Sequence, residues 1–231
     1  MRCCWLCLLA ALAAHAACST ASRGAVSSVA SRAAASIREN QAHVEPLFLS
    51  GDALASARED IISVLAQIPE DSSDDFQSVQ TDLLNPEFRR GLPGAVPFSA
   101  LLAELDELRV ALAQETGRNF LEGGGFHLMH YPIGGKFMRH VDEDPALYEP
   151  VRNSISFLIY LTPSDWTAND GGALCLFDGG DGCAPRQVLP TAGTLVIYDS
   201  TIEHEVLPTE RTRHLISGRY RELDEDWRRE R

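Results

Sequence analysis

The sequence predicts a mainly β protein with flanking helices and a double-sheet jelly-roll core. Two observations carry this. From Phe120 onward the chain breaks into short runs of strand-forming residues with turn residues between them, whereas the stretch before it holds two helical apolar stripes. The runs are Phe126–Tyr131, Phe137–Val141, Ser154–Thr162, Ala173–Phe177, Arg186–Leu189, Thr194–Tyr198, Glu203–Leu207 and Arg213–Arg221. Gly134-Gly135, Asn169-Asp170-Gly171-Gly172, Asp178–Gly182 and Ala192-Gly193 punctuate them. Eight short strands in about 100 residues suit two sheets closed face to face, an architecture that leaves few open edges.

The elements before Phe120 divide by composition. Residues 1–18, MRCCWLCLLAALAAHAAC, form a short apolar run after Arg2, with Ala14-His15-Ala16 as a small-x-small cleavage pattern. The run resembles a secretory signal peptide and is short for a bilayer, so no stable membrane span is expected in the mature chain. Residues 19–38 are rich in Ser, Ala and Arg and contain no acid. A signal peptide followed by a spacer places the protein in the secretory pathway or endoplasmic reticulum; a signal followed by a transit segment is a bipartite plastid address.

The body begins near Glu39. Ser50-Gly51-Asp52 precedes an amphipathic run to Gln67, with Ala53, Leu54, Ile61, Ile62 and Leu65 at helical spacing. Residues 68–97, with Glu70-Asp71-Ser72-Ser73-Asp74-Asp75 and several prolines and glycines, read as loop. Ser99 is placed to cap a second helix whose Leu101, Leu102, Leu105, Leu108 and Leu112 form one stripe, and Gly117 to end it. The expected organisation is a leader and spacer at 1–38, a helical support region at 39–118 and the jelly-roll domain at 119–231.

Charge narrows the partners. The chain has 33 acidic and 20 basic residues. Every acid lies at or after Glu39, while Arg2, Arg23, Arg32 and Arg38 precede it, so the body is about 17 charges negative. A polyanionic partner such as nucleic acid is not expected for such a body. Cys175 and Cys183, eight apart across a Gly/Asp loop, are either bridged or two free thiols, and they lack the company a zinc site needs.

The residues with chemistry are His140, Asp142, His204 and Arg213. On a strand, residues i and i+2 point the same way, so His140 and Asp142 can meet one ion. His204 follows 62 residues after Asp142, and Arg213 nine after His204. Two imidazoles and a carboxylate match the facial triad of non-haem iron sites, which leaves coordination positions open. Arg213 offers a flat fork to a carboxylate. His127 and His130 flank the first strand and read as structural histidines, and His214 alternates away from Arg213. Arg219 reads equally as a pocket contact and as a solvated arginine. There is no convincing Ser/His/Asp arrangement, and the sole lysine, Lys136, sits in no phosphate-binding loop.

With these residues in hand, 126–221 resembles the catalytic domain of the 2-oxoglutarate- and Fe(II)-dependent dioxygenases, and among them the prolyl 4-hydroxylases. The landmarks are YPIGGKFMRHVD at 131–142, SFLIYLT at 156–162, DGGALCLF at 170–177, PTAGTLVIYDS at 190–200 and HEVLPTERTR at 204–213. The last is similar to the oxygen-sensing prolyl hydroxylases. Arg219 departs from them, standing where they commonly carry an aromatic residue. The resemblance implies a double-stranded β-helix (jelly roll) with His140, Asp142 and His204 as Fe(II) ligands. It also implies 2-oxoglutarate held by Arg213, Tyr131 and Tyr160, with O2 as co-substrate and L-ascorbate as support. The implied reaction converts 2-oxoglutarate to succinate while hydroxylating a C–H bond, first of all that of proline in a peptide or protein. The same chemistry on a free amino acid, small metabolite or alkylated base is the alternative, and a catalytically silent jelly-roll binding protein is a further one.

Overall fold

A computed structural model describes residues 24–66, 77–81, 98–122, 125–143, 150–180 and 182–223. The architecture is an antiparallel β-sandwich with helices on one side. A six-stranded sheet has the order β1(His43–Glu45), β8(Leu195–Asp199), β5(Val151–Tyr160), β10(Arg213–Leu223), β3(Gly125–Tyr131), β2(Gln77–Thr81). A four-stranded sheet has the order β4(Phe137–His140), β9(His204–Val206), β6(Leu174–Leu176), β7(Arg186–Val188). All eight expected strands are present, and the two sheets form the jelly roll.

The large sheet is buried on both faces, and strand parity sorts its side chains. Along β5, Phe157 and Ile159 join the cluster beneath the helices, whereas Leu158 and Tyr160 join the cluster between the sheets. Leu195 and Ile197 of β8 alternate with Val196 and Tyr198 in the same way. This is why these strands read as near-continuous apolar runs. In β10, Gly218 lies under the Phe157 ring, and a Cβ there would collide with it. The face between the sheets carries the pocket.

Helices α1 (residues 24–38), α2 (Gly51–Leu65) and α3 (Ser99–Thr116) cover the other face. Leu101, Leu102, Leu105, Leu108 and Leu112 are all buried, as the leucine stripe of α3 requires. Gly117 ends α3 in the left-handed conformation, φ 71°, and its N–H bonds back to the Ala113 carbonyl. In α2 the buried positions are Ala57, Ile61 and Val64, while Ala53 and Ile62 face solvent. The spacing i, i+4, i+7 is helical; the expected stripe was rotated by about one residue.

Three further expectations change, and one open alternative is decided. The spacer expected at 19–38 is, from residue 24, helix α1, with Val26, Val29, Ala30, Ala33 and Ile37 buried in the helical cluster. Alanines that looked compositional are there for close packing. Strand β2 lies within the 68–97 stretch read as loop, and β1 and β2 from the support region extend the large sheet at both edges. Ser99 is the first helical residue of α3, and the capping position belongs to Phe98, whose N–H donates to Asp60 Oδ2 at 2.7 Å. Cys175 is buried and Cys183 exposed, both as free thiols. The apolar run 1–18 and most of 67–97 lie outside the described residues. Among the described residues, no helix is long and apolar enough to cross a membrane.

Candidate active site

Between the two sheets lies a cavity of about 220 Å³, lined at one end by His140, Asp142 and His204 and at the other by Tyr131 and Arg213. His140 ends β4 and His204 begins β9, and the two are direct cross-strand partners. Their rings lie 4.2 Å apart between centroids. Asp142 follows β4, where its N–H and that of Glu143 both donate to the Ser200 carbonyl, at 3.0 and 2.9 Å. The pairing brings one ligand atom from each residue within 4.8 Å of the others. Among the described residues this is the only such group of three or more His, Cys, Asp or Glu.

Backbone carbonyls set the tautomers. Nδ1 of His140 lies 2.8 Å from the Met138 carbonyl, and Nδ1 of His204 lies 2.9 Å from the Ile202 carbonyl. A carbonyl only accepts, so Nδ1 carries the proton in each ring and Nε2 keeps its lone pair. Both Nε2 atoms stand 3.8 Å from the Asp142 carboxylate, His140 from Oδ1 and His204 from Oδ2. Burial pushes His204 below the ordinary imidazole range, which keeps it in the neutral form that can ligate. Burial alone would raise Asp142, but the Arg219 guanidinium outweighs it and holds the carboxyl below its usual range.

Two further residues join this end: Tyr198, to which the sequence did not point, and Arg219, whose role it left open. The Tyr198 hydroxyl lies 3.4 Å from Asp142 Oδ2 and 3.2 Å from His204 Nε2. Burial and the Asp142 charge raise its pKa well above the ordinary value, so it stays a donor. Its only sequence signal is parity with Val196 on β8. Arg219 donates to Asp142 Oδ1, which decides its role in favour of the pocket. His127, read as structural, also lines the cavity, because it shares the inward face of β3 with Met129 and Tyr131. His130 points to the other face and pairs with His214 at 2.9 Å, so His214 lies outside the pocket as expected.

The far end is organised around Arg213. Its side chain is fully buried, at 0% exposure. Nη1 donates to the Gly172 carbonyl, while Nε and Nη2 have no hydrogen-bond partner among the described residues. Gly172 has φ +69°, and a Cβ there would stand 3.3 Å from Nη1 and 3.1 Å from Thr209, so a larger residue would crowd the guanidinium. The guanidinium carbon sits 4.7 Å from the Tyr131 ring centre and 5.3 Å from that of Tyr160. The buried Tyr160 hydroxyl also lacks a partner among the described residues, and burial pushes it up to about 12. A buried cation with two idle donors, beside an idle hydroxyl, is costly unless an anion completes it. The donor set therefore fits a small dicarboxylate reaching from the His/Asp/His group to Arg213.

A jelly roll with two histidines and one carboxylate at one end of its cavity defines a mononuclear non-haem metal oxygenase. Residues 126–221 match the family model of the 2OG-Fe(II) oxygenase superfamily. No curated protein matches the chain. Among solved structures, a prolyl 4-hydroxylase of Pseudomonas putida is similar at 25% identity and TM-score 0.70, over 84% of this chain and 100% of that one. A prolyl hydroxylase of Trichoplax adhaerens, solved with a peptide of hypoxia inducible factor, shares the fold at 18% identity and TM-score 0.70, over 89% and 94%. A non-heme alpha-ketoglutarate-dependent epimerase of nogalamycin biosynthesis shares it at 16% and 0.61, over 84% and 82%. The chain carries a 2OG-Fe(II) oxygenase domain of prolyl-hydroxylase-like form, and it is a 2-oxoglutarate-dependent dioxygenase using Fe(II).

Proposed function

We propose that the protein hydroxylates proline in a peptide or protein substrate. His140, Asp142 and His204 would hold Fe(II), the two imidazoles through the Nε2 atoms that keep their lone pairs and Asp142 through its carboxylate. Arg213 holds the far carboxylate of 2-oxoglutarate, with Tyr160 donating its hydroxyl and Tyr131 packed against the guanidinium. Fe(II) and 2-oxoglutarate, when bound, would supply oxidative decarboxylation to succinate coupled to C–H hydroxylation, with O2 as oxidant and L-ascorbate as supporting reductant. The chain's own part is to fix geometry and exclude water. The Met138 and Ile202 carbonyls keep Nδ1 protonated and aim both imidazoles. Tyr198 remains a phenol and offers its proton to Asp142, while Leu158, Leu174, Val206 and Leu215 wall the cavity with apolar surface.

The observation that carries the reading is the pairing, in one cavity, of a ready metal triad with a buried arginine whose donors are idle. Proline as the target is supported by the similarity, over 84% of this chain, to a prolyl 4-hydroxylase. The test is mass spectrometry of peptide pools incubated with the protein, Fe(II), L-ascorbate and 2-oxoglutarate. Proline residues gaining one oxygen, with equimolar succinate, are the expected result. Succinate formation with oxidation only of free amino acids, metabolites or alkylated bases would move the substrate assignment. The apolar leader at 1–18 extends the proposal to the secretory pathway, where a tagged full chain would fractionate with the endoplasmic reticulum.

A further inference from the structure

Arg219 is a second cation in a cavity that already has one. Among the residues lining the cavity, two guanidiniums, Arg213 and Arg219, face a single carboxylate, Asp142. Resting on the reading above, Fe(II) brings two positive charges and 2-oxoglutarate two negative ones, which cancel. One positive charge is then left over, and Asp142 must divide its charge between the metal and Arg219. Uncompensated charge in a partly closed cavity is costly and attracts an anion.

The position of Arg219 says where that anion lies. Arg213 is wholly buried at the closed end, while the Arg219 side chain is 23% exposed. The metal end, where His140 is 30% and Arg219 23% exposed, is thus the end of the cavity that opens to solvent. The Nη2 of Arg219 engages Asp142, but its Nε is buried and has no hydrogen-bond partner among the described residues. Ser217 lies two residues back on the same strand face, directly paired across the ladder with His127, and both line the cavity. A guanidinium N–H, a hydroxyl and an imidazole on one wall are donors suited to a carboxylate.

We propose that Arg219, flanked by Ser217 and His127, is an anion subsite at the open end of the pocket that selects substrates carrying a carboxylate close to the oxidised carbon. That carboxylate is either the free C-terminus of a substrate or an acidic side chain beside the target. Recognition is local, because the strongly acidic body provides no long-range attraction for an anion.

The test uses the full chain loaded with Zn(II), which cannot turn over, and reads binding by calorimetry in the presence of 2-oxoglutarate. The probes are matched acid and amide pairs: a peptide ending in proline and its C-terminal amide, a C-terminally amidated peptide with aspartate beside proline and its asparagine counterpart, L-proline and L-prolinamide, and L-leucine and L-leucinamide. Wild type is expected to bind the acid of at least one pair about tenfold more tightly than the amide, the worth of one charge-assisted bond. Arg219→Gln should reduce that ratio to below about threefold, Arg219→Lys should restore part of it, and zinc content should stay at one per chain in both. Equal binding of acid and amide, or no binding of any probe, would overturn the proposal. So would a preference that survives Arg219→Gln, or a loss in that variant confined to 2-oxoglutarate affinity, which would give Arg219 to the co-substrate. If only the leucine pair binds with the acid preference, the anion subsite stands and proline falls as the target.

Discussion

Strand β10 points two guanidiniums into one cavity, and they differ in what they meet. Arg219 finds a carboxylate, Asp142, and holds it ionised beside two imidazoles. Arg213, six residues earlier on the same strand face, finds one backbone carbonyl and two aromatic rings, and it is the more deeply buried of the two. A buried ion pair whose partner is removed destabilises the protein, whereas a buried charge without a counter-ion is itself a liability. The Asp142 end is thus electrostatically complete in the metal-free protein. The Arg213 end becomes complete only with an anionic ligand.

Removing Asp142 breaks the complete end most severely, because it takes a metal ligand and strands Arg219 together. Asp142→Ala should lower turnover more than about 100-fold, beyond the loss typical of residues that only orient ligands. Metal analysis of the purified variant should find no bound Fe(II), while His140→Ala and His204→Ala should behave alike.

The outer face of the incomplete end gives a pH signature. Burial, with His130 and Arg58 nearby, pushes His214 down to about 4 from the usual 6.5. As pH falls below 6.5 the unfolded chain takes up this proton before the folded one does. Stability is therefore fully present above about 6.5 and declines as pH falls toward 4, by on the order of 3 kcal/mol at most. Burial lowers His204 too, which adds to the same trend in metal-free protein. Denaturant melts at pH 7 and pH 4.5 should show the slope, and His214→Gln should flatten it.

The contrast between the arginines also predicts opposite signs in ligand-free protein. Arg219→Met leaves Asp142 buried and unpaired, and should lower stability by about 1–2 kcal/mol. Arg213→Met removes a charge without a counter-ion, and should raise it by about 1–3 kcal/mol, or a few degrees in Tm. Thermal melts in metal-chelating buffer would check both. The smallest effect expected is that of Tyr160→Phe. Its hydroxyl has no partner to lose in the free protein, so stability should hold or rise slightly, while 2-oxoglutarate binding weakens about two- to tenfold.

Much of this was legible before the fold was known, and the reason is periodicity. Alternation along β10 places Arg213, Leu215, Ser217 and Arg219 on one face whatever surrounds them, and the same rule pairs His140 with Asp142. What stayed hidden depends on the chain crossing itself. Tyr198 reads as one more core aromatic until β8 and β9 bring it to His204, and Arg219 has no stated partner until β10 passes Asp142. His127 shares its face with Tyr131, so the parity was available, but only the closed cavity shows that this face is the lined one. Helix α1 was missed because Ser, Ala and Arg without acids are the composition of a leader as well as of a tightly packed helix; burial of Ala30, Ala33 and Ala34 separates the two.

The most direct test of the contrast between the arginines compares two ligands that differ only in the far carboxylate. Binding of 2-oxoglutarate and of 2-oxopentanoate to the Zn(II)-loaded protein would be measured for wild type and Arg213→Met. If Arg213 waits for that carboxylate, wild type prefers 2-oxoglutarate by roughly 30-fold or more, as expected for a buried charge-assisted pair, and the variant loses the preference. A preference that survives in Arg213→Met would place the carboxylate elsewhere and contradict the account.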